Sequence, residues 1–251
     1  MKKLIAIIFA AVVLTGCSAK VDTTELTPEE HFNYALSLFN DEDYLECLNE
    51  FQALLLQYPG SAINDDSQYY YAMTYFMRDQ YLLAAYEFSK LIKNIPASPF
   101  VADAQFMLAE CYYELSPNYQ LDQRYSKKAI EEFQAYIDFF PTSTKVEDAE
   151  SKIKEMNDKL AEKDFNSAVI YEKMELYAAS IQYYKMVKET YHDSKYAPMA
   201  IYNLIKLLLF KENTKEAMNE MLTFLDRFPN DSNAPEIRDL YNSLLDSKAE
   251  L

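Results

Sequence analysis

Glycine is almost missing from this chain of 251 residues: there are two, Gly16 and Gly60, and there is no tryptophan. Phosphate-cradling loops and dinucleotide fingerprints need several glycines close together, so both are excluded. Histidine is as scarce. His31 and His192 are the two in the chain, and no serine or cysteine nucleophile pattern accompanies either. No H-E-x-x-H, EF-hand, P-loop or serine-elbow motif occurs. Acidic pairs such as Glu29-Glu30, Asp65-Asp66 and Glu131-Glu132 are numerous, but neighbours on a helix do not face one another, so they read as solvated faces. The composition points away from catalysis. Positive charge is also short, with 24 basic residues against 40 acidic and a formal charge of −16. Such a field repels nucleic acid and anionic lipid and suits protein partners with basic patches. Of three cysteines, Cys47 and Cys111 stand sixty-four residues apart, in no metal-binding or redox spacing. They read as small core residues, with pairing in an oxidising compartment as the alternative.

What the chain does have begins at its N-terminus. Lys2 and Lys3 precede an unbroken apolar run of eleven residues, Leu4 to Leu14. That is a signal-peptide layout, well short of the ~20 residues that span a bilayer. Leu14-Thr15-Gly16-Cys17 resembles the bacterial lipobox, in which the thiol is acylated and becomes the mature N-terminus. Each buried acyl CH₂ contributes about 0.8 kcal/mol, so a multiply acylated Cys17 is a stable anchor. Ser18, in place of aspartate, implies the outer membrane by analogy with such lipoproteins. Cleavage removes Lys2 and Lys3, which lowers the basic count from 24 to 22 and the formal charge from −16 to −18.

The mature chain repeats itself, and its 22 tyrosines and 15 phenylalanines are part of the pattern. A phrase of aromatic or apolar residue, proline, one residue and serine recurs as Tyr58-Pro59-Gly60-Ser61, Ile95-Pro96-Ala97-Ser98 and Phe140-Pro141-Thr142-Ser143. Tyr191-His192-Asp193-Ser194 is a weaker copy, and Phe228-Pro229 opens a fifth with Ser232 one place late. Twelve positions before each proline or its equivalent stands a small residue: Cys47, Ala84, Ala129, Ser180, Ala217. Four beyond each of these comes a large one: Phe51, Phe88, Phe133, Tyr184, Met221. Upstream lies a second small residue, Ala35, Ala72, Ala109 or Ala168, with Ile205 in the fifth copy. Three places before it is always an aromatic: Phe32, Tyr69, Phe106, Phe165, Tyr202.

These spacings predict two antiparallel helices per unit, closely approached at the small residues. Proline stops the second helix, and the following serine is a candidate N-cap for the next. The expected fold is all-α: a tetratricopeptide-repeat solenoid of five helix pairs, with a cap near Ala234 to Lys248. The spacing between small residues within a pair is 12 in four units and 20 in the third, which carries extra residues around Leu115 to Asp122. From proline, or His192, to the next unit is 13 residues except after Pro141, where it is 27. The surplus of fourteen makes about four helical turns and returns the same face. It predicts one long helix, roughly Thr144 to Met174, with Ile153, Met156 and Leu160 as its apolar stripe. A charged disordered linker is the alternative.

Lipobox, five repeats, their aromatic-x-x-small openings, the YPGS and FPTS closings and the long helix after repeat three together resemble the BamD family, lipoproteins of the outer-membrane β-barrel assembly machine. The resemblance implies a signal peptide at 1–16, a lipidated Cys17 with tether at 17–27, a three-repeat block at 28–143, a linking helix at 144–163 and a two-repeat block with cap at 164–251. It implies a non-catalytic, cofactor-free scaffold that is lipid-anchored in the outer membrane and faces the periplasm. Its partners would be the POTRA portion of a BamA-like barrel, other lipoproteins of the machine, and unfolded outer-membrane proteins. Barrel binding then falls to the C-terminal repeats, with Tyr171, Tyr184, Lys206 and Phe210 as candidates. The targeting strand of client proteins falls to the N-terminal repeats. Independently, the first helix of each pair lines the concave face of such a solenoid. That puts Phe32, Leu36 and Phe39, then Tyr69, Met73 and Phe76, then Phe106, Glu110 and Tyr113 in one groove. Rigid aromatics and adaptable methionine suit varied peptides, although the recurring aromatics are equally readable as inter-repeat core. His192, Ile205 and Met221 depart from the repeat and fall in the units assigned to the barrel. Other repeat-bearing envelope lipoproteins, serving peptidoglycan synthesis or pilus assembly, share anchor and repeats; the 27-residue spacing argues against a plain run of identical units.

Overall fold

Fifteen positions read off the repeat register (the ten small ones, with Ile205 among them, and the five large ones) have no exposed surface at all in the computed structural model. The structure describes residues 22–249, so the signal peptide and Cys17 lie outside the described residues. Eleven helices follow in order: α1 (Pro28–Asn40), α2 (Tyr44–Gln57), α3 (Asn64–Met77), α4 (Tyr81–Asn94), α5 (Val101–Glu114), α6 (Arg124–Phe139), α7 (Val146–Lys173), α8 (Tyr177–Thr190), α9 (Ala197–Phe210), α10 (Thr214–Arg227) and α11 (Ala234–Ala249). No strand occurs among the described residues, and no helix there is long and apolar enough to cross a membrane. Each helix packs chiefly on its chain neighbours, so five small cores are stacked in series.

The turns explain how so few glycines suffice. At the end of α1, the Glu42 N–H donates to Phe39 O and the Asp43 N–H to Leu38 O, a Schellman pair of bonds. The same pair recurs at Asp79–Gln80, Glu175–Leu176 and Glu212–Asn213. The left-handed residue that glycine usually supplies is acidic in every case, with φ of 62° at Glu42, 57° at Asp79, 60° at Glu175 and 59° at Glu212. Between repeats, the proline phrase forms a β-turn in which the Ser61 N–H donates to Tyr58 O, and Ser98, Ser143 and Ser194 do likewise.

The serines are not N-caps, contrary to expectation. The cap positions are Ile63, Phe100, Lys145 and Tyr196, none with a side-chain bond, because a second turn intervenes: the Asn64 N–H donates to Ser61 O, Val101 to Ser98, Val146 to Ser143 and Ala197 to Ser194. In the fifth copy Asp231, not Ser232, takes the serine's place, bonding Phe228 O and Ala234 N in the same way. A capping box does open α1, where Thr27 and Glu30 bond one another reciprocally.

Helix α7 is continuous. Met156 belongs to the core shared with α5 and α6, whereas Ala161, Phe165 and Ala168 belong to the core shared with α8 and α9. One helix thus carries both halves of the solenoid. Its lysines face back toward repeat three: Lys145 Nζ donates to Asp103 Oδ1 (2.7 Å), Lys152 Nζ lies 2.9 Å from a Glu110 carboxylate oxygen, and Lys159 Nζ donates to Ser116 Oγ (2.9 Å). His31 is structural. Its Nε2 lies 2.6 Å from Glu50 Oε2, and the repeat-equivalent pairs Gln68–Glu87 and Gln105–Glu132 make the same bridge between first and second helices. Repeat five keeps its fold despite Ile205 and Met221, because both join a core with Ile201, Phe224, Ala234 and Ile237.

Candidate functional site

The aromatics that open the first helices divide by depth. Phe32 packs on Phe51 (5.9 Å between centroids) and Tyr70 (6.0 Å), and Tyr69 stacks on Phe100 at 4.7 Å. Phe106 sits against Phe133 and Tyr136 with only 6% of its surface exposed. Phe106 is therefore core and offers a peptide no face, a correction to its assignment to the groove. Two helical turns further on, Phe39 and Phe76 are half-buried and braced edge-on by Tyr44 and Tyr81 at 5.8 and 5.3 Å. Leu36 and Met73 are half-buried beside them. The structure thus leaves Leu36, Phe39, Met73 and Phe76 as a partly open apolar strip on α1 and α3.

At repeat three the strip becomes polar. Glu110 is buried, and that burial pushes its carboxyl above the usual range against the pull of Lys152. The Lys152 ammonium lies 4.2 Å from the centre of the Tyr113 ring, and the Tyr113 hydroxyl donates to Glu155 at 2.7 Å. Tyr113 is held by this network rather than standing free. Sequence reasoning missed Lys152 as its partner; the available signal was the seven-residue spacing of Lys145, Lys152 and Lys159.

In the C-terminal repeats, a cleft of about 340 Å³ is lined by Val169, Glu172, Lys173, Tyr184, Asn203 and Lys206. Two of the four candidates for partner binding meet there. Tyr184 has no exposed side-chain face; its hydroxyl donates to Glu172 (2.9 Å) and accepts from the Asn203 amide (3.3 Å), so it supports the cleft instead of reaching out. Burial, then that bond to Glu172, pushes the phenol up. Lys206 is exposed and lies over the Tyr202 ring at 5.2 Å. Tyr171 stacks on Tyr183, and Phe210, 66% exposed, packs on Tyr177; neither lines the cleft. A larger cleft, about 740 Å³, lies elsewhere, between α6, α7 and the α8–α9 turn that holds His192. His192 is exposed and pairs with Asp193 at 2.7 Å. Among the described residues no group of histidine, cysteine and carboxylate side chains is placed to hold a metal.

Residues 24–209 match the family model described as outer membrane lipoprotein (YfiO), and residues 1–18 match the prokaryotic membrane lipoprotein lipid attachment site. The chain belongs to the YfiO outer membrane lipoprotein family. It is 25% identical over 207 residues, 82% of either chain, to the outer membrane protein assembly factor BamD of Rickettsia prowazekii. Among solved structures it is similar to the thermophilic tetratricopeptide protein TTC0263 of Thermus thermophilus, at 16% identity and a TM-score of 0.37, covering 87% of this chain and 99% of that one. It is also similar to the TPR2AB domain of yeast Sti1, at 14% identity and a TM-score of 0.44, covering 89% and 86%. This lipoprotein is a scaffold by family.

Proposed function

We propose that this lipoprotein is a periplasm-facing docking scaffold in outer-membrane protein assembly. Its C-terminal repeats hold the POTRA portion of a BamA-like barrel around the cleft at Lys206, and its N-terminal repeats receive the terminal targeting strand of unfolded barrel proteins. The observation that carries the client role is the strip of Leu36, Phe39, Met73 and Phe76. These four stay half-buried while the equivalent position of repeat three, Glu110, is buried in a lysine pair. Apolar side chains held by edge-on aromatics present surface at little entropic cost, which suits recognition of varied extended peptides. Similarity to an assembly factor supports the partner. Mild-detergent purification of the protein from its native envelope, followed by mass spectrometry, tests the reading. A POTRA-bearing barrel in near-equal amount is expected; cell-wall synthases or pilus subunits without such a barrel would overturn it.

A further inference from the structure

Aligned on the repeat register, the second helix of repeat two differs from its siblings at two outward positions. At the position of Leu83 the other units have Glu46, Lys128, Ala179 and Glu216; at the position of Tyr86 they have Asn49, Glu131, Gln182 and Asn219. Leu82, Leu83 and Tyr86 are 53%, 49% and 65% exposed. Farther along the same face come Lys90 and Lys93, and at 3.6 residues per turn all five side chains fall within about 100° of arc, opposite Ala84, Phe88 and Leu91. The single acid of α4, Glu87, is engaged by Gln68 (2.8 Å) and Lys90 (3.2 Å). In a chain with a formal charge of −16, this face carries exposed leucine and tyrosine followed by lysine, and no free carboxylate.

Exposed leucine and tyrosine followed by lysines is a composition that a bilayer interface accepts, the apolar groups sinking into the headgroup boundary while the lysine stems carry their ammonium groups up to the headgroups. The lipid attachment site brings a bilayer to the N-terminal end of the repeats. Cys17 is five residues from Asp22, the first described residue, so a bilayer holding it lies within ~18 Å of that point. A tether this short holds the bilayer at high effective concentration for any face of the first repeats that the geometry lets reach it, so a weak contact there is populated. We propose that the outer face of α4, through Leu82, Leu83 and Tyr86 with Lys90 and Lys93, seats on the headgroup layer of the membrane that holds the acylated Cys17. The contact sets the attitude of the solenoid on the membrane rather than its attachment, which the acyl chains provide.

The absence of tryptophan makes a direct test available. Full-length acylated protein carrying Tyr86→Trp is reconstituted into phosphatidylethanolamine–phosphatidylglycerol vesicles and isolated by flotation. A parallel sample carries Leu222→Trp, an exposed site on α10 of repeat five. The expected result is blue-shifted emission at position 86 and quenching by brominated lipid at least ~3-fold stronger than at position 222, as interfacial burial requires. Adding Leu82→Ser and Leu83→Ser to the Tyr86→Trp chain is expected to abolish the difference while flotation persists. Emission at position 86 that stays water-like and unquenched in floated protein overturns the proposal. Failure to float at all removes the anchor on which it rests and overturns it as well, independently of the partner reading above.

Discussion

The Lys163 ammonium donates to the carbonyl oxygen of Leu121 at 2.8 Å and reaches those of Tyr119 and Gln120 at 3.3 Å each. The two irregularities of the repeat, extra residues in unit three and extra turns in α7, are thereby one device. The added turns carry Lys159 and Lys163, and these hold the added loop. Hydrogen bonds from a charged donor each contribute about 1.5–3 kcal/mol, and Lys163 is the shared donor for all three carbonyls. Lys163→Met is expected to raise amide exchange and proteolysis across residues 115–123 while leaving repeats one and two unchanged. Unaltered exchange in that loop would show that Gln123, whose side-chain amide donates to Asn118 and Leu121 carbonyls, suffices alone.

The Glu110–Lys152 pair predicts a pH dependence. Both side chains are poorly exposed, at 9% and 20%, so removing one charge strands the other. Lys152→Met is expected to cost about 3 kcal/mol at neutral pH, and Glu110→Gln in the same chain to recover most of it. The sign follows from the raised carboxyl: its protonated form is favoured by folding, a contribution present below the ordinary value of 4.5 and lost as pH rises through the higher folded value. The deficit of Lys152→Met should therefore shrink as pH falls through the raised range of the Glu110 carboxyl. Denaturant melts at several pH values measure it; a pH-independent deficit contradicts it.

How much of this was visible in the residues alone depends on what periodicity encodes. Spacing tells which face of a helix is inward, and Cys47, Ala84, Phe133 and Met221 all proved buried where the register put them. The stripe of Met156 and Leu160 likewise placed α7 correctly, because a three-plus-four spacing has one helical solution. Depth along the inward face is not periodic. Phe32 and Phe106 share one register position, yet only Phe106 is fully covered, by Phe133 and Tyr136 of its own repeat. Partners distant in sequence were equally out of reach: Lys152 meets Glu110 across forty-two residues, and only the equal spacing of the lysines hinted at it. The exposed leucines of α4 look like ordinary helix residues until every copy is aligned.

The acidic left-handed turn residues predict stabilisation by glycine, which the chain uses at only two positions. A side chain at φ near 60° carries a steric cost that glycine avoids. Asp79 accepts a bond from the Tyr81 hydroxyl, so it is a poor site for the exchange. Glu212 has a φ of 59° and an exposed side chain. Glu212→Gly is expected to stabilise by about 0.5–1 kcal/mol, raising Tm by roughly 1–4 °C. A lowered Tm would mean that unfolded-chain entropy outweighs the relief.

The thiols offer a test of compactness. Cys47 and Cys111 are free and fully buried, in the cores of adjacent repeats. Burial pushes the Cys47 thiol to about 11, although its bond with Thr74 pulls the other way, and raises Cys111 as well. Since the thiolate is the reactive form, both should resist a disulfide reagent at neutral pH in native protein and react at once in denaturant. Fast labelling of either in the folded chain would show that its repeat opens readily.

Phe39→Ala and Phe76→Ala separate binding surface from core. Each ring is half-buried, so truncation should cost less than the 3–5 kcal/mol of a buried phenylalanine. Ala84→Leu is the comparator, because that methyl has no exposed surface and overpacking there typically costs 1–3 kcal/mol, here at a helix crossing. If the strip receives client strands, the two phenylalanine variants weaken binding of a C-terminal barrel peptide about tenfold while melting near wild type, and Ala84→Leu melts lower. A tenfold change corresponds to about 1.4 kcal/mol, within what one half-buried aromatic contributes to a peptide contact. Should either phenylalanine variant lose as much Tm as Ala84→Leu, its ring belongs to the core, and the strip contracts to the remaining side chains.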